Sequence, residues 1–229
     1  MTGLHLTDLR VTRGGSTLVA LDTTVARGEV LTIMGPSGSG KSTALAAIIG
    51  TLAPAFSLQG SIALDGVDVT HLPTRARRIG LLFQDDVLFP HMSVGGNLAF
   101  ALPASVKGGK ARRAAIDAAL DQAGLHGFAA RDPATLSGGQ RARIALMRTL
   151  LASPRALLLD EPFSRLDADL RARIRSFVLT RVREEGLPVI LVTHDADDAR
   201  AAGGRIVSPL GQPLPIRPQS VVGKTGSVG

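Results

Sequence analysis

The chain has 229 residues, 45% hydrophobic and 20% charged, which suits one large domain or a domain with a subdomain and excludes wholesale disorder. Cysteine is absent, which excludes disulfides and cysteine-ligated metals and fits a reducing compartment. The net charge is +7, but aromatics make up 3% and Tyr and Trp are missing. Stacking surfaces for single strands are therefore lacking, no nucleic-acid partner is expected, and the basic surface is expected to meet nucleotide phosphates or acidic lipid headgroups.

In chain order, the start MTGLHLTDLRVTRGG carries no apolar centre of a secretion signal. TLVALDTTV (17–25) alternates, with Val19, Leu21, Thr23 and Val25 on one face and Ala20, Asp22 and Thr24 on the other. EVLTIMG (29–35) is a short apolar strand running into glycine, followed by a helix from STALAAIIG. GSIALDG (60–66) and RRIGLLFQ (77–84) read as further strands. Helices follow at 108–125, with a stripe of Ile116, Ala119, Leu120 and Ala123, and at 141–151, with Ile144, Met147, Leu150 and Leu151 inward. RALLLDEP (155–162) and PVILVTHD (188–195) are strands apolar enough to be buried on both faces, with a helical stretch at 170–186 between them. This predicts an α/β fold: a core with a parallel sheet flanked by helices, interrupted by a helical insert at about 85–150. The tail from 211 to 229 is rich in Pro and Gly and is expected to be flexible at its end. No apolar run approaches the ~20 residues of a membrane span, so a cytosolic location, or attachment to a membrane through a partner, is expected.

Gly35-Pro36-Ser37-Gly38-Ser39-Gly40-Lys41-Ser42 fits G-x-x-x-x-G-K-[ST] between an apolar strand and a helix. Glycines there let backbone N–H groups close on β- and γ-phosphate oxygens, and the helix N-terminus adds its dipole. Lys41 supplies a point charge, and the Ser42 hydroxyl is placed for Mg²⁺. Asp160 and Glu161 end a buried strand, Asp160 as the expected metal partner and Glu161 as the general base. His194 and Gln84 also stand at strand ends, His194 within reach of a γ-phosphate and Gln84 as a metal ligand or water-positioning group. LSGGQ (136–140) is a second anion-binding turn: a Ser hydroxyl, two glycines and a helix start.

The succession GPSGSGKST, Gln84, LSGGQ, LLLDEP, SRLD (164–167) and His194 resembles the ATP-binding cassette ATPases over nearly the whole chain. That resemblance implies a P-loop NTPase core with an N-terminal antiparallel β subdomain and an inserted helical subdomain, in a cassette of residues 1–210. It implies ATP and Mg²⁺ as cofactors, with residues 35–43, Thr43 included, around the nucleotide. It further implies head-to-tail pairing with a second copy, in which Ser137, Gly138, Gly139 and Gln140 bind the partner's ATP and Asp167 crosses the interface. The segment 72–100 looks like the importer branch, similar to thiamine-, iron(III)-, polyamine- and sulfate-type systems and especially to YnjD-like members. It implies membrane permease partners, a solute-binding protein in the same system, and a peripheral place on the cytoplasmic face of the inner membrane. Phe83, Leu88, Phe89, Pro90 and Met92 would line a groove for the permease. The family's first-strand aromatic is absent from VTRGGSTLV, and Arg13 is the candidate to stack on adenine in its stead. An exporter subunit, or a non-transport cassette with soluble partners, is the alternative.

Overall fold

The computed structural model describes residues 2–83, 88–164 and 166–215. Two sheets share the molecule. The antiparallel one has the order β2-β1-β4-β5, from β1 (Leu4–Arg13), β2 (Ser16–Val25), β4 (Ser57–Leu64) and β5 (Val67–Asp68). The parallel one has the order β6-β7-β8-β3-β9, from β3 (Val30–Met34), β6 (Ile79–Leu82), β7 (Ala156–Asp160), β8 (Val189–Thr193) and β9 (Ile206–Val207).

The apolar runs in β7 and β8 are explained by burial on both faces. Leu157, Leu159, Val189 and Leu191 face a core shared with the helical insert. Ala156, Leu158, Ile190 and Val192 face the other way, into a core built with helix α1 (Lys41–Ile49) and the antiparallel sheet. A sheet covered on both sides has no use for alternation.

Among the described residues between β6 and β7 the elements are helical: α3 (Val94–Ala101), α4 (Gly109–Gln122), two short 3-10 turns and α5 (Gly138–Leu151). The stripe expected on α4 is buried as read, and α5 begins three residues before the expected 141, because Ser137 caps it. Helix α3 was not legible, because two glycines in VGGNLAFA weaken its propensity. It is held by the Ser93 cap and by the fully buried Asn97, whose side chain accepts from Phe89 N–H and donates to the Phe89, Met92 and Ser93 carbonyls. The short elements α2 (Thr74–Arg77), α7 (Ala196–Ala202), β5 and β9, and the ten-residue β1, also escaped the sequence pattern, and α6 (Ala168–Glu185) lies between β7 and β8. Past β9, Pro213 bridges back to Val207 and Leu214 N–H donates to the Ile206 carbonyl.

Arg77 ties the end of α1 to the segment after β5. It is 5% exposed, and its guanidinium donates to the carbonyls of Ala47, Ile48, Thr70 and Leu72 at 3.0, 2.7, 2.6 and 2.9 Å. It thus satisfies orphan carbonyls at the end of α1. Arg77→Ala strands these acceptors, and the expected loss in urea unfolding is about 3 kcal/mol; a loss below ~1 kcal/mol would show that water replaces the guanidinium at little cost.

Candidate functional site

Strand register builds the site. Met34 pairs with Thr193 and Asp160 with Val192, so β3, β8 and β7 end together at one sheet edge. The residues just beyond these ends are the glycine-rich loop, His194 and Glu161. They line one cleft of about 630 Å³, with Pro36, Ser37, Gly38, Gly40, Lys41, Ser42, Thr43 and Asp160. Ligand crevices in open parallel sheets lie at this edge.

The loop is shaped by its own chain. Gly40 has φ 101, and a Cβ there would stand 2.6 Å from the Leu18 carbonyl oxygen, so only glycine fits. Lys41 is 7% exposed, and its Nζ donates to the Gly35 and Pro36 carbonyls at 2.7 and 2.9 Å. Gly35 and Ser39 sit behind the lining, with Ser39 N–H donating to the Pro36 carbonyl.

The Ser42 hydroxyl and the Asp160 carboxylate share the cleft wall, and both can ligate a cation through oxygen. Burial pushes the Asp160 carboxyl above the usual carboxylate range. Ser42 opposes that shift, the Glu161 charge adds to it, and Lys41 opposes it. Glu161 takes φ 46, rare for a residue with a side chain. The conformation is held by Glu161 N–H donating to the Val192 carbonyl at 2.9 Å and by Ser164, whose hydroxyl donates to the Glu161 carbonyl at 2.9 Å. His194 Nδ1 lies 3.0 Å from Glu161 Oε2, with the carboxylate side chain 17% exposed. The sequence placed both residues at strand ends; their contact and the strained backbone carry no sequence signal.

The second turn lies elsewhere. Ser137 caps α5 in a capping box, its N–H donating to Gln140 Oε1 at 2.9 Å and its hydroxyl accepting from Gln140 N–H. None of residues 136–140 lines the cleft. A Cβ on Gly139 would stand 2.3 Å from Leu170 Cδ2, so glycine lets α6 pack against the turn. Asp167 caps α6, accepting from Leu170 N–H at 3.0 Å.

Gln84 lies outside the described residues. The Arg13 guanidinium stands 5.4 Å over the Phe56 ring, a stacking partner absent from the sequence reading, and Arg13 is not in the cleft wall. Of the expected groove residues, Leu88 is a correction: it is 9% exposed and belongs to the helical core. Phe83 is exposed, and Phe89 packs edge-on against the exposed Phe100 at 4.9 Å. Phe100 was missed; an aromatic at the end of a short helix gives no hint of its side.

Residues 18–164 match the ABC transporter family, ABC_tran. The chain belongs to this family. It is 54% identical over 184 residues to the uncharacterized ABC transporter ATP-binding protein YnjD of Escherichia coli (strain K12), covering 80% of this chain and 84% of YnjD. It is 43% identical over 204 residues to the thiamine import ATP-binding protein ThiQ of Jannaschia sp. (strain CCS1), covering 89% and 87%. Among solved structures it resembles a dimeric, post-hydrolysis ATP-binding cassette, MJ0796, bound to ADP and Pi, with a TM-score of 0.78, 30% identity, and 91% and 96% of the two chains covered. The α/β P-loop fold and the ATP-binding role read from the sequence stand on these matches.

The Asp160 shift has a consequence for stability. The folded chain holds that proton more tightly than the unfolded one. Its stabilising contribution is complete below the unfolded carboxylate range and is lost as pH rises through the raised value. Asp160→Asn has no proton to lose. It is expected to raise the nucleotide-free thermal midpoint at about pH 7 and to flatten the decline above about pH 4; calorimetry across pH checks this, and an unchanged midpoint contradicts it.

Proposed function

We infer that the chain is the ATP-hydrolysing subunit of an importer, working as a head-to-tail pair beneath membrane permease subunits. The observation that carries this is the split site: the P-loop, Asp160, Glu161 and His194 share one cleft, while the Ser137 turn has no part in its wall. A two-fold pairing supplies the missing wall from a second copy, using Ser137, Gly138, Gly139 and Gln140, with Asp167 at the seam.

The residues fit Mg²⁺. Ser42 and Asp160 are hard oxygen ligands lining one cleft, and among the described residues no cluster of three or more His, Cys, Asp or Glu forms a protein-only cage. Mg²⁺ prefers such a partial set completed by phosphate and water. When bound, it neutralises phosphate charge; Gln84 is proposed as a further ligand or water holder. Lys41 has three N–H donors and spends two on the loop carbonyls, so the third is available to a phosphate oxygen. Glu161 takes the proton of the attacking water as its oxygen bonds to the γ-phosphorus and the bond to ADP breaks. His194 fixes one Glu161 oxygen and offers its other ring nitrogen toward the γ-phosphate. The Ser137 hydroxyl and the α5 N-terminus of the partner stabilise that charge from the far side.

Import is supported by the thiamine import ATP-binding protein ThiQ among the relatives and by the exposed Phe100 packed on Phe89. Phe89 and Phe100 offer an apolar patch to a permease segment. A solute-binding protein completes the proposed system. The proposed location is the cytoplasmic face of the inner membrane; no helix among the described residues is long and apolar enough to cross a membrane. We assign residues 1–210 to the cassette, with its helical subdomain at about 85–150, and 211–229 to a following segment.

Glu161→Gln with Mg-ATP should bind without multiple turnover and elute as a dimer, and Lys41→Ala should lose tight ATP binding. Ser137→Arg should keep nucleotide binding by the monomer and lose hydrolysis; hydrolysis by that variant at the wild-type rate would sink the paired site. Tagged Glu161→Gln, recovered with ATP from solubilised membranes, should bring down a many-span protein and a solute-binding protein. A many-span protein alone would favour an exporter, and soluble partners alone would overturn transport.

A further inference from the structure

His194 has a single polar partner among the described residues, Glu161, and its side chain is 62% exposed. Its position is therefore set by the backbone at 193–195, and that backbone is clamped through Asp195. Asp195 N–H donates to Thr193 Oγ1 at 3.0 Å. Its Oδ1 caps α7, accepting from Asp197 N–H at 2.7 Å and Asp198 N–H at 3.4 Å. Its Oδ2 is left for Arg171 on α6, whose Nη1 lies 2.6 Å away. One turn further along α6, Arg175 Nη1 meets Asp198 Oδ1 at 2.9 Å. The two helices are thus joined by two Arg–Asp rungs.

The rungs differ. Asp198 is 2% exposed, so Arg175 neutralises a carboxylate that water does not reach. Asp195 is better hydrated, with its side chain 28% exposed, and keeps its cap without Arg171. Among the described residues the buried Arg171 Nε–H has no partner, a cost an apolar side chain would avoid. A pair this imperfect contributes geometry more than stability. It also connects two parts of the proposed machinery. Helix α6 begins at the Asp167 cap and packs Leu170 against Gly139. Arg171 is the next residue.

We propose that Arg171 is a positioning residue for hydrolysis. Through Asp195 it sets His194 beside Glu161 and ties that end of β8 to the helix packed on the Ser137 turn. This rests on the hydrolytic reading above.

The test uses the full chain and two independent readouts. In steady-state ATP hydrolysis, Arg171→Met should lower kcat about tenfold, the scale of a small misplacement, with the KM for ATP within about twofold. Arg171→Lys should recover part of the loss. Asp195→Asn keeps an oxygen for the α7 cap and loses the ion pair, so it should match Arg171→Met, and the double variant should fall no further. Arg175→Met should lower the thermal midpoint and leave kcat unchanged. In nucleotide-free NMR spectra, the His194 imidazole resonances, assigned with His194→Gln, should move in Arg171→Met and Asp195→Asn and stay in place in Arg175→Met. Unmoved His194 resonances, an unchanged kcat, or equal kcat losses in the 171 and 175 variants would overturn the proposal. A wild-type chain without Glu161-dependent turnover would sink the hydrolytic reading instead, and the His194 resonances would still decide whether Arg171 positions that ring.

Discussion

Three parallel strands, β7, β8 and β3, end at one edge of their sheet, and the proposed reacting groups hang from that edge. The alignment follows from burial on both faces. Leu157 and Leu159 fill one core while Ala156 and Leu158 fill the other. A slip of one residue would exchange these sets and mismatch both cores. It would also move Glu161 by about 3.3 Å along the strand, beyond reach of His194. Packing far from the cleft therefore sets the contact inside it. Both cores must be full for two side chains at the rim to meet.

Helix α6 has a double allegiance. Its first turn packs against the Ser137 turn, where Gly139 leaves no room for a Cβ. Its next residue, Arg171, reaches the Asp195 carboxylate at the end of β8. The Ser137 turn, proposed to face a partner copy, and the strand end that carries His194 thus both contact one helix. In the proposed head-to-tail pair each copy contributes to both sites, and this helix is anchored at both places.

The cleft gives up stability for chemistry. Burial raises the Asp160 carboxyl, and Glu161 takes a left-handed backbone that its side chain disfavours. The surroundings hold both in place, through the Val192 carbonyl, the Ser164 hydroxyl and the strand pairing. Elsewhere two buried polar side chains are well served: Arg77 satisfies four carbonyls, and Asn97 organises the approach to α3. Of the described non-glycine residues with positive φ (Asp8, Asp65, Arg78, Ser153 and Glu161), Glu161 is the one in the cleft wall.

Much of this was legible in the chain. Glycine spacing before Lys41, the carboxylates ending ALLLD and the Ser-Gly-Gly turn name their chemistry, because each depends on residues within a few positions of one another. Apolar continuity marked the buried strands for the same local reason. Helix α3 escaped because long-range bonds through Asn97, not propensity, hold it. Leu88 was misassigned to a surface because an apolar residue reads the same in a core and in a groove. The contact between Glu161 and His194, the stacking of Arg13 on Phe56 and the rung from Arg171 to Asp195 join residues remote in the chain. Sequence alone specifies which groups can react, since that is a matter of residue type and local spacing. Only the folded sheet and helix packing decide which of them meet, because those distances arise from the simultaneous filling of two cores.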